Sequence, residues 1–390
     1  MKPLYDIIVI GAGPAGSTAA RFLTDKYNKK VLLLDKRIFP RDKPCGGYLT
    51  KRIFQRFSYL KLEMKELIEV PTFGSYFYGP NLSKLTWIKE FPVGYLVLRT
   101  KFDDYLKNLA ISKGVTFLEG KKVIDFQIRK EQVRVLTEDR NCYSANLIIS
   151  ADGVRSSIAK LSKIDNKANS IRKGLCIVNE FRVDEDFINS SYGKKRPTHY
   201  FYGFNKIIGY SWVFPKKNHI NIGIGGPSNA GKELKQSFIK FLSYLKMKDL
   251  VPESLEPTKK IKAALIPTST ALYRAQSYSD RILFAGDALG VVSSVSGEGI
   301  YQSMASGEDA AFVANKAIEE NKFGADFLQI YDKVWKKDLA NELKIGGNIM
   351  QLGGSEEKEE VLKKMRIFFE KMEESAELFD YFATTFFGLE

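Results

Sequence analysis

An apolar run, Asp6-Ile7-Ile8-Val9-Ile10, is followed at once by Gly11-Ala12-Gly13-Pro14-Ala15-Gly16. Each glycine in such a turn has its own task. Gly11 allows the tight bend, Gly13 lets backbone N–H groups come close to a pyrophosphate, and Gly16 lets the next helix lie against the strand. Small and helix-forming residues continue from Ser17 to Leu23. A helix N-terminus, with its partial positive charge, therefore points at the same anion. A second apolar strand, Val31 to Leu34, ends in Asp35. That acid stands roughly 20 residues beyond the turn, where a carboxylate grips ribose hydroxyls. The chemistry is the binding of a dinucleotide.

Two later strand ends carry the same kind of residue. Leu147-Ile148-Ile149-Ser150-Ala151 leads into Asp152-Gly153, and Ile282-Leu283-Phe284-Ala285 leads into Gly286-Asp287. Ligands of open α/β sheets bind at the carboxyl ends of strands, so a large dinucleotide could use all three. Between the first two lies a loop, Lys36 to Gly47, with two prolines and Cys45 at its tip. Charged and glycine-rich flanks are poor surroundings for an inert thiol, so Cys45 is a candidate functional residue; the alternative is a small buried residue in a turn. Cys45, Cys142 and Cys176 are far apart and the only histidines are His199 and His219. A zinc site, a disulfide framework and a Ser-His-Asp triad are therefore not expected.

The elements that must position these residues follow from periodicity. Residues 51–70 read as helix and 71–98 as β-structure, closed by Arg99. Lys101–Ser112 reads as helix, and 115–118, 123–128 and 132–137 read as strands. Residues 174–225 alternate in β fashion, and Tyr210, Trp212 and Phe214 share one face of a strand that ends at Pro215, with Lys216 at its exit. Periodicity alone makes them a core ladder. A helix is expected at 231–247, then one of small residues at 299–317, which would let its start approach a bound ring or another backbone. From about 321 the pattern is helical to the end, with a polar break near Gly353-Gly354.

With 390 residues and 44% hydrophobic content, the chain can bury the cores of two or three domains. No apolar run reaches the ~18 residues of a membrane span. The early core strand leaves no room for a signal peptide, and a cytoplasmic location is expected. The net charge of +14 favours acidic partners such as anionic lipids or phosphorylated substrates. No motif for nucleic acid accompanies it.

Taken together, the glycine turn with Asp35, Asp152-Gly153 and Gly286-Asp287 resemble the three fingerprints of the p-hydroxybenzoate hydroxylase-like FAD flavoproteins. Within them, Pro44-Cys45-Gly46-Gly47 and Tyr210-x-Trp212-x-Phe214-Pro215-Lys216, with Gly223 six residues on, resemble the geranylgeranyl reductase family. The resemblance covers roughly residues 1–320 and departs at Asp35, where the family usually has Glu. It implies an α/β (α+β) fold in which a Rossmann-like FAD-binding domain (1–70, 99–160 and 275–318) interleaves with an antiparallel β-sheet substrate domain (71–98 and 161–274). C-terminal helices would occupy 319–390.

The resemblance also implies site residues. Gly11, Gly13, Ala15 and Gly16 would hold the pyrophosphate of FAD, and Asp35 its adenosine ribose. Cys45 and Gly46 would lie beside the flavin ring, with Arg99, Val123, Asp287, Gly299 and Ile300 also contacting the cofactor. Tyr210, Trp212, Phe214, Pro215 and Gly223 would line an apolar tunnel for an isoprenoid chain. The implied reaction is reduction of isolated C=C bonds in geranylgeranyl chains of archaeal-type lipids by hydride from flavin N5, with Cys45 on the proton-donor side or shaping the ring environment. Geranylgeranyl diphosphate is a second candidate substrate. The single dinucleotide fingerprint leaves the electron donor open between ferredoxin, another small protein and transient NAD(P)H. Peripheral membrane association would suit such a lipid. The rival readings are an FAD monooxygenase or halogenase and a non-catalytic isoprenoid-binding flavoprotein.

Overall fold

The computed structural model describes residues 4–61, 64–162, 173–256, 261–267, 270–273, 276–293, 295–351 and 357–389. The chain forms two compact units: Met1–Asp42, Arg99–Arg172 and Pro267–Asn348 in the first, and Lys43–Leu98, Lys173–Ile266 and Ile349–Glu390 in the second.

In the first unit the strand Tyr5–Ile10 is central. It pairs in parallel with Val31–Leu34 on one side and Cys142–Ser150 on the other. Thr116–Leu118 and Ile282–Phe284 extend the parallel ladder outward. Ile7, Ile8, Leu32, Leu33, Ile148 and Leu283 are fully buried, as continuous apolar strands covered on both faces should be. The helix Pro14–Asp25 packs on the helix Ile300–Glu319, where a Cβ on Gly307 would lie 2.3 Å from the Ala15 carbonyl oxygen. The run of small residues near 299–317 is thus explained by the approach of another backbone. Trp335, in the helix Ile330–Gln351, is buried and donates from Nε1 to Ser277 Oγ at 3.0 Å.

The second unit is built on a seven-stranded sheet. Its central strands are Lys173–Arg182, His219–Pro227, Tyr210–Pro215, Thr198–Tyr202 and Gly74–Tyr78, in that spatial order. The period of two divides its side chains between two faces. On one, Phe201, Val213, Ile220, Ile222 and Ile224 form a core with Leu234, Phe238, Phe241 and Leu245 of the helix Gly231–Met247. The other face is aromatic. Phe77 and Tyr200 stack at 5.4 Å, and Phe379, Phe382 and Phe386 set their edges against Phe77. Those three belong to the terminal helix Ala376–Phe386, and Phe387 just beyond it stacks on Trp87 at 5.2 Å.

Four readings from sequence differ from the structure. Residues 51–70 are not one helix: short helices Arg52–Arg56 and Met64–Leu67 are followed by a strand, Ile68–Thr72, whose Ile68, Val70 and Thr72 suit pairing with Gly94–Val97. Tyr48–Thr50 pairs with the same strand, so residues 43–70 lie in the second unit and the first ends at 42 rather than 70. The C-terminal helices are not one region, because Trp335 packs in the first unit and Phe386 in the second. A helix, Glu185–Tyr192, interrupts the stretch read as all β; Asp184 caps it by accepting from the Asp186 N–H at 2.8 Å. The expected break at Gly353-Gly354 lies outside the described residues.

His199 gives this unit a pH dependence. Burial, and secondarily Lys84, push it down to about 3, and its Nδ1 sits 3.2 Å from the Tyr78 hydroxyl. Below pH ~6.5 the unfolded chain takes up a proton that the folded one refuses. Stability is therefore complete above ~6.5 and falls as pH drops towards about 3, by up to ~1.4 kcal/mol per pH unit. In urea unfolding at pH 7.5 and 5.0, the wild type should lose roughly 2 kcal/mol more than His199→Phe. Equal losses would show that His199 does not govern the acid limb.

Candidate functional site

The cradle in the first unit starts at the glycine turn. Gly11 has φ +100°, and a Cβ there would lie 2.3 Å from the Ala151 carbonyl oxygen. At Gly16 a Cβ would lie 1.8 Å from the Gly11 carbonyl oxygen. Both glycines are required by the fold of the turn itself. Gly13 differs: an added Cβ would meet only Arg41 Nη2, at 3.4 Å. The space before the turn is open and bordered by a guanidinium. The helix Pro14–Asp25 begins at Gly13 with no side-chain cap and no acid in its first turn, so its N-terminal N–H groups have no competing carboxylate. Ala15 presents its backbone there while its side chain packs against Gly286.

Asp35 is nearly buried and accepts the Ala12 N–H at 2.8 Å on Oδ2 and the Arg37 N–H at 2.8 Å on Oδ1. Each carboxylate oxygen retains acceptor capacity, as binding of a ribose hydroxyl would need. Asp152 is committed internally: it accepts from Ser150 Oγ at 2.7 Å and from the Ser157 N–H at 2.7 Å, fixing the start of the helix Ser157–Leu161. Asp287 sits on a short turn, Gly286–Ala288, that Ser306 Oγ secures through the Gly286 N–H at 2.9 Å. Gly299 is the N-cap of the helix Ile300–Glu319, again with no side-chain cap and no acid in the first turn. Val123 is buried in the core of the unit.

Arg99 clamps Asp103 through two hydrogen bonds of 2.7 Å, and Arg41 Nη1 reaches the same carboxylate at 3.0 Å. Asp103 is fully buried, so one carboxylate orients two guanidiniums. The cluster keeps a net positive charge beside the glycine turn. Sequence reasoning does not single out Arg41; the available signal was an arginine between two prolines, shortly after the acid that ends the second strand.

In the second unit, Cys45, Gly46 and Gly47 pack on the aromatic face of the sheet. A Cβ on Gly46 would lie 2.4 Å from the Phe214 ring, and one on Gly223 would lie 2.1 Å from the Trp212 ring. Trp212 thus lies flat on Gly223, which explains why the aromatic strand needs a glycine on its neighbour: the two residues face each other in register. Tyr210 is half-buried at the end of the row, and Pro215 closes the strand opposite Ile220. Cys176 lies next to Gly225, and burial, with Cys45 nearby, pushes its thiol up to about 12. Gly223, Gly225 and Cys176 leave a small-residue floor beside the Trp212 ring.

The FAD binding domain family matches residues 4–322. A digeranylgeranylglycerophospholipid reductase of Methanococcoides burtonii is 30% identical over 88% of this chain and 82% of its own length. The chain belongs to the FAD-binding geranylgeranyl reductase family.

A geranylgeranyl bacteriochlorophyll reductase-like protein of Thermoplasma acidophilum has the same fold, with a TM-score of 0.77 and 24% identity over 92% of this chain and 90% of its own. The flavin-dependent halogenase CmlS shares it at a TM-score of 0.70 and 17% identity, over 95% and 70%. As in other members of the geranylgeranyl reductase family, FAD is the cofactor, and the cradle fits it: open space before Gly13, an uncapped helix start, acceptor capacity on Asp35 and a guanidinium from Arg41. Arg41→Ala should weaken FAD binding by about tenfold or more, the worth of a charged hydrogen bond. Titration of the stripped protein with FAD checks this; unchanged affinity would remove Arg41 from the site.

Proposed function

We propose that the protein reduces isolated C=C bonds in the geranylgeranyl chains of an archaeal-type digeranylgeranyl glycerophospholipid. The observation that carries the reading is the 30% identity, over most of both chains, to a protein named for that activity. The aromatic face supports it. An isoprenoid chain offers almost no polar handle, so it must be held by apolar contact. Tyr210, Trp212 and Phe214 on one strand face, beside the small-residue floor, provide such contact.

An isolated alkene is not polarised by a carbonyl, so much of the acceleration must come from holding it in place. FAD, when reduced, supplies the hydride. In this proposal Gly13, Ala15, Asp35, Arg41 and Asp287 bind the cofactor, with Arg99 ordering Arg41 through Asp103. The helix starting at Gly299 would stabilise negative charge. Cys45 acts on the proton-donor side or shapes the surroundings of the ring; Cys45→Ala with full turnover would remove it from the chemistry. With a single dinucleotide fingerprint in the sequence, the electron donor is open between a ferredoxin, another small protein and a transient nicotinamide.

The fold shared with a halogenase supplies a second reading. Against it, the aromatic strand reads Tyr-x-Trp-x-Phe-Pro rather than the Trp-x-Trp-x-Ile-Pro expected of a halogenase. Mass spectrometry of the lipid product separates the readings: added hydrogen supports reduction, and added oxygen or halogen contradicts it.

Among the described residues no helix is long and apolar enough to cross a membrane. The substrate resides in one, and the chain carries a net charge of +14. Binding to anionic vesicles at low ionic strength, lost as salt is raised, is the expected result. Equal partitioning onto neutral vesicles at all salt concentrations would oppose an electrostatic membrane contact.

A further inference from the structure

The second unit contains an ion pair, with its lysine buried, that none of these roles uses. Lys216 is 1% exposed, and its Nζ donates to Glu180 Oε2 at 2.8 Å. The same oxygen accepts from Asn221 Nδ2 at 2.9 Å. Asn221 Nδ2 also donates to the carbonyl oxygen of Cys45 at 3.0 Å, while Asn221 Oδ1 accepts from Trp212 Nε1 at 2.8 Å. Both amide donors and the amide acceptor are therefore committed, and a flip of the amide would lose all three contacts. Glu180 Oε1 is buried with no protein partner. Stability alone does not explain this arrangement, since burying the Lys216 charge costs desolvation that an apolar residue would avoid.

We propose that Asn221, oriented by Glu180 and Lys216 on one side and by Trp212 on the other, is a positioning residue that fixes the main chain at Cys45. The rest of that loop is held to match. The Gly47 N–H donates to Cys45 Sγ at 3.4 Å, and the Gly47 carbonyl accepts the Val97 N–H at 2.8 Å. Phe214 leaves no room for a side chain at Gly46, and Lys216 Nζ lies 3.1 Å from where a Cβ of Gly47 would be. The Tyr-x-Trp-x-Phe-Pro-Lys run thus has two tasks: its aromatic face, and a set of struts from Trp212, Phe214 and Lys216 to the cysteine loop. The inference deepens the proposed function, because it gives Cys45 a direction that the reaction requires.

The test is Asn221→Ala in the full-length flavoprotein, with FAD content as the control for folding. Iodoacetamide labelling of Cys45, read by peptide mass spectrometry against the exposed Cys142, should change by about fivefold or more. In turnover of digeranylgeranyl glycerophospholipid, kcat should fall by about tenfold or more with KM within about threefold, as misplacement of a reacting group predicts. Trp212→Phe removes the indole N–H together with part of the ring and should move the labelling rate in the same direction by about threefold; it serves if Asn221→Ala does not fold. Unchanged labelling and unchanged kcat would overturn the proposal. Labelling needs no substrate, so a shifted rate in Asn221→Ala, with no lipid turnover by the wild type either, would support the positioning and overturn the proposed function instead.

Discussion

Gly16→Ala will purify without flavin. The new methyl would sit 1.8 Å from the Gly11 carbonyl oxygen, a position no relaxation of a side chain can relieve, because the obstacle is backbone. Either the helix Pro14–Asp25 moves away from its strand or the turn opens, and both destroy the array of N–H groups proposed to receive the pyrophosphate. A stability loss of about 3 kcal/mol or more is expected, since the clash lies in the core of the unit. Gly13→Ala provides the contrast. Its methyl meets only the tip of Arg41, so the turn should survive while the space for the phosphate is filled. Both variants should show little absorbance near the flavin band, and only Gly16→Ala should melt markedly lower than the stripped wild type. Full flavin in either would contradict the assignment of the cradle.

Phe387→Ala should be the most damaging single truncation in the second unit. Phe387 is 1% exposed, stacks on Trp87 and packs on Tyr48 at 5.5 Å and Phe386 at 5.0 Å. Removing a buried phenyl ring costs about 3–5 kcal/mol through lost transfer energy and the cavity left behind. Trp87 is also tied to the terminal helix by its Nε1, which donates to Asp380 Oδ1 at 2.8 Å. Without the ring, that helix loses one of its anchors and part of the aromatic face below it is exposed. Chemical denaturation and dye binding to exposed apolar surface measure the two effects. A loss under about 1 kcal/mol would mean that the terminal helix is not part of this core.

What could be read from the sequence was whatever local spacing encodes. The glycine turn, the acid after the second strand and the helices near 231–247 and 299–317 all announce themselves within twenty residues. The mixed α/β class with terminal helices followed from them. The alternation of Tyr210, Trp212 and Phe214 correctly defined one strand face, but it could not say what lies on that face. Gly46 and the phenylalanines beyond 376 come from distant parts of the chain. Likewise Asp103, which joins Arg41 to Arg99, and Asn221, which reaches Cys45 across 176 positions, have no local signature. A polar residue at the middle of a β-strand looks like an ordinary alternation until its partners are known. The strand Ile68–Thr72 was hidden for a related reason, since its identity depends on Gly94–Val97.

The most direct measurement of the central claim is an anaerobic single turnover. The purified flavoprotein is reduced chemically, excess reductant is removed, and digeranylgeranyl glycerophospholipid is added while the flavin band is followed. Reduction of the lipid would return the oxidised flavin spectrum at a rate that depends on the lipid, with product heavier by the hydrogens added across its double bonds. A flavin that stays reduced in the presence of the lipid, and reoxidises only when oxygen is admitted, would contradict it.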